Sequence, residues 1–412
     1  MDMTIDIMIS IKKALTEISR NVSRLSAESV ALSAAVDRTL ARDIHAREDL
    51  PNFDNSAMDG FVVKTADVKT ASATTPVRLK TGTTIRAGLA ARLTLRRGHA
   101  IKIMTGAALP QGGEAVVMVE RTRQESGYVL IERAAATGEN IRPKGEDVRR
   151  GDLLIKKHTI LRPYEIALLA AQGIVSVPVI SKARVGVLAT GDELVDAKVA
   201  HLRHGQIRNS NAPAVSAALA RWGATVENLG QAADDPVSLR RLLKKSLPRL
   251  DMLIISGGVS VGDFDFTKSA LEATGFKTIF WRVAIKPGKP LLFGMMGKTA
   301  VFGVPGNPVS TLVCLEEFVR PALETMSASG LRHPGWHLSG ALDRDQFLRD
   351  AKRQHFLFSR VTETDEGFVV SIIRPQGSAM MGMACRANAI ATAPAGTQRL
   401  KKGDRIAFRW MK

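Results

Sequence analysis

Between residues 183 and 325, short apolar runs alternate with helix-like segments, and three of the runs end in glycine-rich turns. The run 185–189 leads into Thr190-Gly191-Asp192-Glu193. The run 252–255 leads into Ser256-Gly257-Gly258-Val259-Ser260-Val261-Gly262, and the run 300–303 into Val304-Pro305-Gly306-Asn307-Pro308. Helical patterns at 212–221, 236–247, 267–273 and 309–325, with a further strand at 225–229, complete the alternation. This spacing predicts a doubly wound parallel sheet, whose chemistry lies beyond the carboxyl ends of its strands. One glycine after a strand is a common tight turn. Three on one sheet edge predict a shared anion site, because such turns expose backbone N–H groups and positive helix ends.

The flanking segments have other rhythms. Spaced apolar residues over 5–40 suit one or two amphipathic helices, ended by Leu50-Pro51 and the turn formers Asn52, Asp54 and Asn55. Short runs rich in Val, Ile and Thr at 77–80, 100–104, 115–120 and 128–132 predict strands of a small β domain. Pro163 and Gly173 bracket a short helix over 164–172. After about residue 335 short strands resume to the end, which predicts a β domain there.

Composition bounds the function. At 45% hydrophobic residues the chain is too apolar for a disordered protein, and it has no run of about 18 uncharged apolar residues that would span a membrane. Asp2 and Asp6 break the basic-then-apolar order of a signal peptide, so a soluble cytoplasmic protein is expected. Cys314 and Cys385 are too few for a disulfide framework or a zinc site, and Cys314, among Leu312, Val313 and Leu315, reads as core. The formal charge of +18 is spread over residues 51–150, 151–330 and 331–412 rather than held in one tail. With no aromatic-basic RNA-binding motif, that predicts a surface suited to anionic small molecules, not specific nucleic-acid binding.

Acids interleave with the glycine turns: Asp192, Glu193, Asp234, Asp235, Asp263 and Asp265. Carboxylates beside a phosphate repel it unless a divalent cation bridges them, so Mg²⁺ held by one or two carboxylates plus substrate phosphates is expected. Lys286 and Lys289, in Ile285-Lys286-Pro287-Gly288-Lys289-Pro290, are two cations on a proline-stiffened turn. A further cluster, Phe53-Asp54-Asn55-Ser56-Ala57-Met58-Asp59-Gly60, reads as an Asx-turn and helix N-cap at Asp54, Asn55 and Ser56, which leaves Asp59 unexplained.

Other motifs fail. Gly297-Lys298-Thr299 lacks the upstream glycine of a phosphate-binding loop, since that position is Leu292. Gly258-Val259-Ser260-Val261-Gly262 fits a hydrolase nucleophile elbow, but the later histidines, His333, His337 and His355, lie beyond the sheet. His201 and His204 lack a third metal ligand.

Taken together, the segments 51–60, 103–107, 138–142 with 145–147, 186–194, 256–262 with Asp265, Thr267 and Lys268, 284–290 and 305–310 closely resemble the molybdopterin molybdenumtransferases, a family that includes the E domain of gephyrin. They stand in the family's order and cover roughly residues 5–400. The resemblance implies that the chain binds adenylylated molybdopterin, cleaves its phosphoanhydride to release AMP, and inserts molybdate into the dithiolene. A carrier or scaffold of the same fold, as gephyrin also is at receptors, is the alternative. Retention of Asp59, Glu193, Asp265, Lys286 and Lys289 favours the enzyme.

By motif position Asp59, Thr105, Asp147, Glu193, Lys286 and Lys289 are the expected catalytic residues. Thr190, Gly191, Asp192, Ser256, Gly257, Gly258, Ser260, Asp234, Pro305, Gly306, Asn307 and Pro308 are expected to bind the molybdopterin substrate. Glu193, Asp234 and Asp265 are expected to handle Mg²⁺ and the pyrophosphate, and Lys286 and Lys289 to hold molybdate or phosphate. In this family Asp59 reaches the cleft of the other subunit, which implies a homodimer with a shared cleft. Molybdopterin adenylyltransferase and apo-molybdoenzymes are the implied partners. The implied architecture is an elongated domain from 1–50 and 146–178, an inserted β domain of 51–145, an α/β molybdopterin-binding domain of 179–328 and a C-terminal β-barrel of 329–412. One departure is Gly382-Met383, where Ser-Leu is usual.

Overall fold

The computed structural model describes residues 8–88, 93–232, 236–258, 271–329 and 335–411. The chain divides into two compact units: residues 1–41, 158–162 and 176–412 form one, and residues 42–157 and 163–175 the other. No described helix is long and apolar enough to cross a membrane.

The larger unit is built on a six-stranded sheet in the order Thr225–Ala232, Arg184–Thr190, Met252–Ser256, Thr299–Val304, Leu292–Met296, Phe276–Trp281. Neighbours among the first four are parallel, as the alternation predicts. The last two extend the sheet in antiparallel fashion, one of them through the tight turn at Gly297-Lys298. Neither is among the strands that the alternation predicts. Met252–Ser256 and Thr299–Val304 are buried along their whole length, as strands covered on both faces must be. One face packs on the helix Asn211–Arg221 through Ala212, Val215 and Leu219, the other on Pro236–Ser246 through Leu239 and Leu243.

Two expectations need correction in this unit. The N-terminal helix runs only from Ile11 to Asn21, capped by Ser10, whose hydroxyl accepts from the Lys13 N–H at 3.2 Å. Its Ala14 and Ile18 enter the core. The next segment, Ala27–Ala31, is a strand that pairs antiparallel with Ser176–Ile180, so a partner 150 residues away overrides local helical spacing. The helix expected over 309–325 is interrupted. It runs Pro308–Cys314, widens into a π-turn at Leu315–Val319 and resumes as Arg320–Met326. Pro321 has no N–H to give the preceding turn, and the wider turn absorbs the mismatch. The helical part of 267–273 lies largely outside the described residues.

The last part of this unit is a closed five-stranded barrel: Gln354–Thr364, Gly367–Ile372, Leu338–Leu342, Arg405–Trp410 and Ala389–Ala393, the last pairing back onto the first. Leu342, Leu357, Val361, Val370, Ile372 and Phe408 fill it. Several contacts join it to the sheet domain. Ile285–Lys286 pairs parallel with Gln354 and His355. At the far side Glu317 of the π-turn forms a buried ion pair with Arg409 of the last barrel strand.

In the smaller unit Gly60–Val63 lies between Ile101–Ile103 and Ala115–Met118, and Thr84–Ile85 completes that sheet. Val77–Lys80, Tyr128–Ile131 and Thr122–Glu125 form a second antiparallel sheet over a core of Phe61, Val63, Leu79, Val129 and Ile131. Asn55 and Ser56, expected in a helix cap, form a short strand against Ile141–Arg142. The helix Pro163–Ala171 is present, and Gln172 after it accepts from the N–H groups of Arg47 and Glu48 at 2.7 and 3.1 Å.

Candidate active site

The three glycine turns lie side by side. Thr190, Ser256 and Val304 end adjacent parallel strands, with Ala189 opposite Ser256 and Ser256 opposite Val304. Their closeness depends on Gly257. It has φ +90°, its N–H donates to the Val304 carbonyl at 3.2 Å, and a Cβ there would stand 2.4 Å from the Thr190 carbonyl oxygen. Only a residue without a side chain lets the strand ends approach so closely. Asn211, first in its helix, ties that helix to the third turn by donating from Nδ2 to the Gly306 carbonyl at 2.7 Å.

Of the predicted acids, Glu193 is exposed and folds back over Gly191, where a Cβ would meet its carboxylate oxygen at 2.6 Å. Gln231 Nε2 braces the same turn, donating to the carbonyls of Gly191 and Leu194 at 2.6 and 3.1 Å. Asp192 is also exposed. Asp234, Ser260 and Asp265 lie outside the described residues. Among the described residues no three His, Cys, Asp or Glu side chains cluster as a metal site.

The glycine turns are expected to present helix N-termini as anion donors, and the structure corrects this at two of them. The first turn does not enter a helix directly: it continues through the short strand Leu194–Val195, and the helix begins only at Asn211. At the third turn the helical amides are taken. The N–H groups of Val309 and Ser310 donate to the Ser378 carbonyl at 3.0 and 3.3 Å, and Asn307 Nδ2 lies 3.1 Å from Ser378 Oγ.

Beside that turn a cavity of about 350 Å³ opens between the sheet and the barrel. One wall carries Lys286, Lys289, Pro305, Asn307 and Ser310. The other carries Arg353, His355, Gln376 and Ser378. Cys314 packs under the lysine turn, 2.9 Å from where a Cβ of Gly288 would be, and burial pushes its thiol well above the ordinary range, so it is core as expected. Arg353 forks onto Asp350, with Nε at 2.6 Å and a terminal nitrogen at 2.5 Å. Burial raises the Asp350 carboxyl, but Arg353 outweighs it and holds it below the ordinary carboxylate range. His355 is buried, and its Nε2 donates to the Asp350 carbonyl at 2.6 Å. Burial, helped by Lys286 and Arg353, lowers its pKa, so the imidazole is neutral and the cavity's positive charge comes from Lys286, Lys289 and Arg353. Arg353 and Gln376 follow no motif, His355 stands in the sequence only as a histidine beyond the sheet, and Ser378 only as part of the segment around Gly382-Met383; the barrel fold brings all four to the lysines.

Asp59, Thr105 and Asp147 belong to the smaller unit. There Asp59 follows a strand-edge turn and precedes Gly60, whose Cβ would lie 2.2 Å from the Val117 carbonyl oxygen. Its Oδ1 accepts from both the N–H and the hydroxyl of Thr105 at 2.7 Å. Those bonds, with Lys102 assisting, hold its pKa below the ordinary value and leave Oδ2 outward on an exposed side chain. Asp147 is exposed on a separate turn, its N–H donating to the Leu50 carbonyl at 3.0 Å.

The sequence matches three family descriptions end to end: the MoeA N-terminal region (domains I and II) over residues 9–173, a probable molybdopterin binding domain over 186–325, and the MoeA C-terminal region (domain IV) over 343–409. It is 35% identical over 402 residues to a molybdopterin molybdenumtransferase of Bacillus subtilis, covering 97% of this chain and 93% of the relative. The chain belongs to the molybdopterin molybdenumtransferase family. A Synechococcus elongatus member is 37% identical, with 93% of this chain and 94% of the relative covered. The fold agrees: a molybdopterin biosynthesis MoeA protein of Pyrococcus horikoshii superposes with a TM-score of 0.83 at 31% identity, over 98% of this chain and all of that one. As a member of this family the protein is a transferase of molybdenum cofactor biosynthesis, and the turns at Thr190, Ser256 and Val304 lie within its molybdopterin-binding domain.

Proposed function

We propose that this molybdenumtransferase inserts molybdate into adenylylated molybdopterin and releases AMP in an Mg²⁺-dependent step. The observation that carries the reading is the cavity in which Lys286 and Lys289 lie across from Arg353 and a neutral His355, beside the third glycine turn. A dianionic tetrahedral oxyanion suits two lysines, with Arg353 held beside them by Asp350, in a half-enclosed space where charge is weakly screened. The sulfur ligands of the metal come from the substrate, which accords with a buried, unreactive Cys314.

Glu193 would hold Mg²⁺ together with phosphate oxygens of the substrate, with Asp234 and Asp265 assigned to the same task by motif position. When bound, the cation neutralises charge on the phosphoanhydride. Lys286 and Lys289 orient the oxyanion. The outward Oδ2 of Asp59, fixed by Thr105, acts in the cleft of a second copy, with Asp147 on the same unit, so the working protein is a homodimer. It works in the cytoplasm, takes its substrate from molybdopterin adenylyltransferase and passes the product to apo-molybdoenzymes.

The test is AMP release from adenylylated molybdopterin with Mg²⁺, with and without molybdate. Molybdate-dependent release is expected. Tight binding without release would mean a carrier. Mixing inactive Asp59→Asn and Glu193→Gln proteins should restore about a quarter of the activity if cleft and carboxylate come from different subunits; no recovery would refute the shared cleft.

A further inference from the structure

Three buried polar atoms at the glycine turns, Thr190 Oγ1, Ser256 Oγ and Asn211 Oδ1, find no hydrogen-bond partner among the described residues. Their residues are only 3%, 1% and 9% exposed. They are also neighbours. Asn211 Nδ2 holds the Gly306 carbonyl, a Cβ on Gly306 would lie 3.8 Å from the Gly257 Cα, and one on Gly257 would lie 3.2 Å from Thr190 Oγ1. Ser256 precedes Gly257 in the chain. Each unpaired buried group costs about 1–3 kcal/mol, so three at one sheet edge mark a surface awaiting a ligand.

Asn211 decides the class of that ligand. The Gly306 carbonyl can only accept, so the amide nitrogen must face it, and the oxygen is the atom left over. An amide oxygen cannot donate. A phosphate or molybdate oxygen brought to it offers only lone pairs and is repelled, whereas a ring N–H or amino group is bound. The hydroxyls of Thr190 and Ser256 donate or accept as needed.

We propose that Thr190, Ser256 and Asn211 form a subsite for an N–H-bearing heterocycle, selected by Asn211 Oδ1, with the oxyanion lying apart at Lys286, Lys289 and Arg353. This rests on the transferase reading, because adenylylated molybdopterin carries such groups on both its pterin and its adenine. It also revises the expectation that the three turns jointly cradle phosphate: the part of the edge lined by these atoms takes the uncharged end of the substrate.

Binding of 6-hydroxymethylpterin, AMP and pyrophosphate to the full chain and to Thr190→Val, Ser256→Ala and Asn211→Leu tests this. Thr190→Val and Ser256→Ala each delete an unpaired group, so their melting temperatures should hold or rise while heterocycle affinity falls about tenfold and pyrophosphate affinity changes less than about twofold. Loss confined to the pterin assigns the subsite to it, and loss confined to AMP assigns it to adenine; both support N–H recognition. Weakened pyrophosphate binding with heterocycle binding intact would overturn the inference. So would a lower melting temperature with every affinity unchanged, since the atoms would then serve only the fold. Asn211→Leu also releases the Gly306 carbonyl, so the two hydroxyl variants keep the test decisive if it misfolds. A wild-type chain that binds neither pterin nor AMP refutes the transferase reading, whereas equal binding by wild type and all three variants refutes this inference alone.

Discussion

Removing Arg409 should unseat the barrel from the sheet at a cost that grows with pH. The side chains of Arg409 and Glu317 are each only 5% exposed, and the guanidinium also lies 4.9 Å over the Trp336 ring and 3.9 Å from Glu316. Burial pushes the Glu317 carboxyl up to about 7, with Arg409 pulling the other way. Arg409→Met strands that carboxylate, and breaking a buried pair from one side costs about 3–5 kcal/mol. Protonation of Glu317 relieves part of the cost. An acid whose folded pKa lies above its unfolded value of 4.5 gives stability that is complete below pH 4.5 and lost as pH rises to the folded pKa. In wild type the loss ends near pH 7. Without Arg409 the folded pKa climbs further, and each added unit extends the loss by about 1.4 kcal/mol. The deficit of the variant should therefore be larger at pH 8 than at pH 6. All four tryptophans, Trp222, Trp281, Trp336 and Trp410, lie in the larger unit, so urea unfolding followed by their emission reads this unit alone. Glu317→Leu with Arg409→Met should recover stability to within about 1 kcal/mol of wild type. A single variant that loses less than about 1 kcal/mol, or a deficit equal at both pH values, would refute the reasoning.

Gly257→Ala should lower the melting temperature and disturb the cradle together, since φ +90° alone costs an L-residue about 1–2 kcal/mol before the 2.4 Å clash with the Thr190 carbonyl is relieved. Calorimetry alongside pterin binding checks both effects. In the native protein a thiol reagent should modify the exposed Cys385 and spare Cys314, which becomes reactive only on unfolding; mass spectrometry of the labelled peptides distinguishes them. Thr105→Val removes the hydroxyl donor but leaves the amide, so the Asp59 pKa should rise toward the ordinary carboxylate value without reaching it, as read by carboxyl NMR titration.

The sheet was legible where local pattern and tertiary role coincide. Runs such as Val185–Ala189 and Ala300–Gly303 are apolar because both faces are covered, and their glycine turns follow because adjacent strand ends must close on one another. Leu292–Met296 escaped notice because its antiparallel pairing depends on a turn at Gly297-Lys298 that resembles a failed phosphate motif. Residues 27–31 are strand only because 176–180 return beside them. In the site, Lys286 and Lys289 announced themselves by their prolines, but Arg353, His355 and Ser378 reach them only through barrel closure, which no local spacing encodes. Asn211 falls just outside the helix expected over 212–221 and belongs to no motif; its unpaired oxygen is visible only in three dimensions.

The parallel pairing of Ile285–Lys286 with Gln354 and His355 makes one turn the common property of two folding elements. An oxyanion held by Lys286 on one wall and Arg353 on the other is bound only while those elements remain docked, so occupancy and docking form a single linked equilibrium. At a hundred times its dissociation constant such a ligand adds about 2.7 kcal/mol to the docked state. The Gln354 N–H, which donates to the Ala284 carbonyl at 2.9 Å, then becomes a gauge of substrate: its exchange with solvent slows about a hundredfold when the cavity fills, with no change of conformation required.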